Sequence, residues 1–205
     1  MYSVGAPQEL RSFYNDEGRL TTGGLTSFLL TQTAEQSRNF AEKHFSDFND
    51  ISASQWHLSI FARVERQAGD RWIWHRDDDL HAQSQALRAK ITSTGIGLPS
   101  VCLVFLDPDA GPLWADEIAV IEVDYNKIGD IPYMQEGHRR IHNAIMRAFQ
   151  AEGIDDERPI TGPDHARMMH ALSRELNRQQ VTGFLRKLGP ALVGFVFDLL
   201  MGRVK

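Results

Sequence analysis

Six consecutive apolar residues, Val101-Cys102-Leu103-Val104-Phe105-Leu106, lie between the approach Gly95-Ile96-Gly97-Leu98-Pro99 and the turn-rich stretch Asp107-Pro108-Asp109-Ala110-Gly111-Pro112. No polar residue alternates within the run, and branched and aromatic side chains dominate it, so it reads as a strand buried on both faces. A second run, Ile118-Ala119-Val120-Ile121-Glu122-Val123, follows a connection too short for a crossover helix, which predicts an antiparallel neighbour. A strand with two buried faces obliges the rest of the chain to cover both.

The chain has the means to do so. Its 205 residues suffice for one domain with its own core, and 42% hydrophobic with 24% charged residues is the balance of a soluble globular protein. A net charge of -5 and a pI near 5.9 argue against a nucleic-acid surface, which needs clustered Lys and Arg. The single cysteine, Cys102, sits inside the most apolar run, so it reads as an inert buried thiol in a reducing compartment. Nothing near Met1 has the basic start and apolar core of a signal peptide, and no run approaches the roughly 20 apolar residues of a spanning helix. The expected location is the cytoplasm, and no cofactor signature is present.

Taken in order, Pro7, Leu10, Phe13 and Tyr14 suggest a short helix ending near Gly18. Gly23-Gly24 precedes a first strand over residues 25–31. Thr33-Ala34-Glu35-Gln36 has the form of a capping box, opening a helix to about Phe48 whose apolar side is Phe40, Ala41, Phe45 and Phe48. Leu58, Ile60, Ala62 and Val64 alternate with His57, Ser59, Phe61 and Arg63, the period of a strand. Residues 71–75 are expected to fold back on it as a hairpin. Asp77, Asp78 and Asp79 open a helix that ends at Gly95. Met134, His138, Ile141, Ile145 and Phe149 give another, closed by Gly153. Residues 154–163 read as a linker, and a further helix carries Met169, Leu172 and Leu176.

The order strand, helix, strand, helix, strand, strand, helix over residues 25–152 resembles the thioredoxin-like fold. The resemblance implies a mixed sheet with helices on both faces, and it puts Pro99 where that family often has a cis proline beside the active site. It also implies no redox chemistry here: Thr33 to Gln36 stands where redox members carry Cys-x-x-Cys, so disulfide exchange has no nucleophile. The hairpin at 71–75 is an addition to the pattern. The expected organisation is therefore an α/β core domain with an N-terminal helix over 1–153, followed by a helical C-terminal appendage over 154–205.

Several residue sets could carry chemistry. His138 and His142, four apart, fall on one helix face and could supply two metal ligands, but no third is evident. Asp107 and Asp109 end an apolar strand and resemble the Leu-Asp-x-Asp segment of haloacid-dehalogenase-like phosphatases, which would imply a nucleophile, a general acid and bound magnesium. Pro108 and the following turn residues argue against it. Asp77 and Asp78 could join a divalent-metal cluster, though capping of the next helix explains them more simply. Trp56, Trp72 and Trp74 cluster with Phe61, Arg63 and Arg71 as a partner-binding or base-stacking surface, or alternatively as a small core beneath the N-terminal helix.

The C-terminal stretch after Gly189-Pro190 is apolar almost all round, with Leu192, Phe195, Val196, Phe197, Leu199 and Leu200, yet a helix there is only about 18 Å long. Residues 174–205 are basic on an acidic protein. These observations lead to an expected function: a non-catalytic interaction or assembly subunit of a larger, bacterial complex, with a protein partner or a second copy on the C-terminal helix. A membrane surface is the least favoured destination. The competing readings are a magnesium-dependent phosphoryl-transfer hydrolase using Asp107 and Asp109, and a redox-inactive thioredoxin-like or transferase-like ligand-binding domain.

Overall fold

The computed structural model describes residues 23–52, 55–67, 71–106, 117–160, 163–187, 195, 196, 198 and 199. The helix expected before Gly18, Asp107 and Asp109 with their turn, and Leu192, Phe197 and Leu200 lie outside them. Strands β1 (Leu25–Thr31), β2 (Trp56–Ile60), β5 (Val101–Phe105), β6 (Glu117–Glu122) and β7 (Gly183–Lys187) form one mixed sheet in the order β2-β1-β5-β6-β7. Strands β3 (Arg63–Gln67) and β4 (Arg71–His75) form a separate antiparallel pair. The described helices are α1 (Ala34–Ser52), α2 (Asp78–Ser93), α3 (Ile131–Glu152) and α4 (Pro163–Arg178), with a short 3-10 turn at Tyr125–Lys127.

The apolar run at 101–106 is the middle strand. β5 lies antiparallel to β1, with Leu29 opposite Leu103, and antiparallel to β6, with Val104 opposite Val120. Because side chains alternate along a strand, its residues divide between two core layers. Val101, Leu103 and Phe105 join Phe40, Phe45 and Phe48 of α1, Ile141 and Ile145 of α3, and Met168 and Leu172 of α4. Cys102 and Val104 join Leu80, Leu87 and Ile91 of α2 on the opposite face. The lack of polar alternation thus reflects helices on both sides.

Local chemistry sets the helix ends. Thr33 Oγ1 accepts from the Gln36 backbone N–H at 3.3 Å and Gln36 Oε1 accepts from the Thr33 N–H at 3.0 Å, the reciprocal cap read from the sequence. Asp77 caps α2 by accepting from Leu80 N at 2.9 Å, and Asp130 caps α3 by accepting from Tyr133 N at 3.1 Å. Gly153, left-handed at φ 62°, closes α3.

One expectation is corrected. The alternating stretch from Leu58 to Val64 is not one strand: the chain bends at Phe61 and Ala62, so β2 stays in the main sheet while β3 leaves to pair with β4. Phe61 and Ala62 are both buried, in opposite core layers, which is why the bend leaves the alternation intact. Within the stretch 154–205, described residues pack into the core of the main sheet. Ile160 and α4 pack beneath the sheet, and β7 extends it, with Val120 opposite Phe184. The tail is not an open apolar surface where it is described: Val196 and Leu199 are buried in the α2-side layer, and Phe195 packs against that layer. The Leu98–Pro99 bond, whose isomer the sequence leaves open, is trans, since no described peptide bond is cis.

One buried hydrogen bond pins β2 to β1. Trp56 is fully buried, and its indole N–H donates to Ser27 Oγ at 2.7 Å. Ser27→Ala should cost about 1–3 kcal/mol by leaving that donor unpaired. Adding Trp56→Phe to Ser27→Ala should cost less than the two separate losses combined, as read by a double-mutant cycle in urea.

Candidate functional site

Most of the sequence-derived candidates are occupied with structure. The Asp77 carboxylate is spent on its cap, and Asp78 pairs with Arg76 at 2.7 Å on the surface. No group of three or more His, Cys, Asp or Glu side chains is arranged to hold a metal among the described residues. Cys102 is fully buried, with its thiol pushed up to about 11 chiefly by burial. Trp72 packs on Phe45 of α1 with ring centroids 4.4 Å apart, and Val64, Trp72 and Trp74 lie against the main core. The hairpin therefore spends much of its aromatic surface on α1. No helix among the described residues is long and apolar enough to cross a membrane.

The structure does bring together a set that the sequence did not mark as one. Where β6 ends, the chain passes through Asp124 and the 3-10 turn into α3, and the turn after α4 returns beside it through Gln180, Val181 and Thr182. Between them lies a pocket of about 380 Å³, within the size range of small-molecule sites. Its apolar wall is formed by Phe48, Leu103, Ile121, Val123, Met134 and Ile141; its polar lining includes Asp124, Glu136, His138, Arg140 and Thr182. Gln180 makes the returning turn in the left-handed region at φ 58°, a conformation glycine usually supplies at a helix end. Val181 N–H bonds Leu176 O at 2.9 Å across the same turn.

Gly137 borders this space. It lies inside α3 with Tyr133 and Ile141 one turn to either side, and a Cβ placed on it would meet nothing within 4 Å. An interior glycine costs a helix roughly 1 kcal/mol relative to alanine. Here it leaves a notch opening on the pocket. The exposed large hydrophobics of the described chain, Tyr125, Ile131 and Tyr133, all belong to the segment bordering it. The Lys127 ammonium lies 4.3 Å from the Tyr133 ring centre.

His138 lies beside Gly137 and is 2% exposed, and neither ring nitrogen has a hydrogen-bond partner. It is enclosed by Phe40, Phe48 and His44, with the His44 ring centre 6.1 Å away. Burial holds its pKa well below the usual histidine value, and the neighbouring His44 adds to the effect. His44 itself donates from Nε2 to the Ile128 carbonyl; burial lowers its pKa, partly opposed by Asp47. His142, half-buried on the next turn, is also lowered by burial. The expected His138 and His142 pair therefore shares a helix, but His138 is packed with Phe48 and His44.

The sequence reading named His138 without its setting and missed Gly137, Tyr133, Arg140 and the 180–182 turn. The available signal was a glycine inside a strongly periodic helix. No family model, curated protein or solved structure matches the chain.

These histidines give stability a pH dependence. The folded chain keeps His138 neutral, while the unfolded chain takes up a proton near 6.5, so stability is full above that value and falls as pH drops towards the folded pKa. Each such histidine adds about 1.4 kcal/mol per pH unit to the slope. Urea unfolding between pH 7.5 and 5 should show this loss, and His138→Phe should reduce the slope by about one proton.

Proposed function

We propose that the chain is a non-catalytic, small-molecule-binding domain of thioredoxin-like arrangement, with its ligand in the pocket beside Gly137. The single observation that carries the reading is that pocket: a partly open cleft of mixed apolar and polar lining, bordered by a helix-interior glycine, with an unpartnered buried imidazole in its lining. Natural cores seldom leave such a polar group unpaired, and a ligand with a hydrogen-bonding group would pair it. The strand order β2-β1-β5-β6, with β5 antiparallel to both its neighbours, supports the thioredoxin-like arrangement; β7 and the β3–β4 pair are additions. The capping box at Thr33 and the buried, weakly acidic Cys102 favour binding over thiol chemistry. An assembly role through the C-terminal helix has less support, because Val196 and Leu199 already have partners within the chain.

The test compares the wild type with two substitutions at one residue. Gly137→Ala should raise stability by about 0.5–1 kcal/mol through helix propensity and leave the pocket usable. Gly137→Leu should fill it. Titration with a library of small apolar fragments, followed by amide chemical shifts, should perturb Val123, Gly137 and Thr182 in the wild type and leave the Gly137→Leu variant unmoved. Perturbations that survive Gly137→Leu, or that map elsewhere, would refute the assignment.

A further inference from the structure

Resting on that reading, we infer that the pocket takes an uncharged ligand: a compact apolar body bearing one hydroxyl, carbonyl or amide group, selected by a hydrogen bond to His138.

Of the four charged side chains that line the pocket, Asp124, Glu136 and Arg140 are paired. Arg140 Nε lies 2.9 Å from Glu136 Oε1, one turn away on the same helix. Asp124 accepts from the Asn126 N–H at 3.1 Å and faces the Lys127 ammonium at 3.8 Å. Glu122 stands opposite Cys102 in the β5–β6 register, and Cys102 belongs to the α2-side layer. By strand alternation Ile121 and Val123 face the pocket side, so Glu122 offers the pocket its backbone. An ionic ligand would leave water without an uncommitted counter-charge to meet it, which is strongly unfavourable beside apolar walls.

What the lining leaves unsatisfied is neutral. His138 keeps its uncharged form, in which one ring nitrogen donates and the other accepts. A hydroxyl can serve either nitrogen, and a carbonyl can serve the donor. Phe48, Met134 and Ile141 around it provide for an aromatic or branched apolar body. A polar contact set among apolar side chains discriminates by about one hydrogen bond, since an analogue without the polar group leaves the buried imidazole unpaired.

Four monosubstituted benzenes separate the possibilities: phenol, toluene, benzoate and benzylammonium, titrated at pH 7.5 against the full chain and the Gly137→Leu and His138→Phe variants. Phenol should bind about tenfold more tightly than toluene, the ratio expected for one net hydrogen bond, and more tightly than either ion. It should also shift the ¹⁵N resonances of the His138 ring, which toluene should leave in place. In His138→Phe the phenol and toluene affinities should converge; the ring shifts in the wild type decide the matter if that variant does not fold. Tighter binding of benzoate or benzylammonium would overturn the uncharged class while leaving the pocket standing. Equal binding of phenol and toluene, or an unmoved His138 ring, would overturn the role of His138. Failure of all four probes, or binding undiminished in Gly137→Leu, would overturn the pocket assignment as well.

Discussion

The structure depends on β5 having no solvent face. Val101, Leu103 and Phe105 need a layer on one side, and Cys102 and Val104 need one on the other. Burial on this scale, at about 25 cal/mol per Å² of apolar surface, is what can offset the entropy of ordering elements far apart in sequence. The two layers are met unequally. Helices α1, α3 and α4 cover one face, whereas α2 covers the other with help from Val196 and Leu199. The apolar C-terminal stretch, which looks like a surplus in the sequence, supplies part of the cover that a single helix leaves incomplete.

That asymmetry also locates the pocket. Where three helices meet one sheet face, their ends cannot all close together, and the end of β6 lies between the start of α3 and the turn after α4. Asp130 fixes the entry to α3, and Gln180 fixes the return from α4 in a left-handed turn. The walls are thus set by helix termini whose backbone groups are paired, with Gln180 N–H donating to Asn177 O at 3.1 Å.

Much of the sheet was legible in the sequence because its signals are local. The continuous run at 101–106, the capping box at Thr33 and Gln36, and the hairpin at 71–75 each depend on residues close together in the chain. What stayed hidden depends on the third dimension. The period-2 pattern through Leu58 and Val64 does not register a bend that moves the chain between sheets, because Phe61 and Ala62 are buried on both sides of it. β7 carries Arg186 and Lys187, exposed residues suited to guarding a sheet edge, and that polarity masks a strand. His138 looks like a helix-face histidine in sequence; its enclosure by Phe40, Phe48 and His44 comes from residues about a hundred positions away.

Gly137 shows how the notch and the helix around it fit together. A glycine in the first half of α3 weakens it, yet both ends of α3 are capped: Asp130 accepts at its first turn, Pro132 suits that turn, and Gly153 closes the last one through bonds to Gln150 and Phe149. Each cap contributes about 1 kcal/mol, comparable with what the glycine costs. Ala144, Ile145, Ala148 and Phe149 anchor the second half of the helix in the core. The weak point is thus confined to the first half, beside the orphaned His138 and the exposed Tyr133. A packing defect could arise anywhere along a helix. Here it coincides with an unpaired buried imidazole, apolar side chains and a partly exposed aromatic rim, and that coincidence is what the proposed binding site rests on.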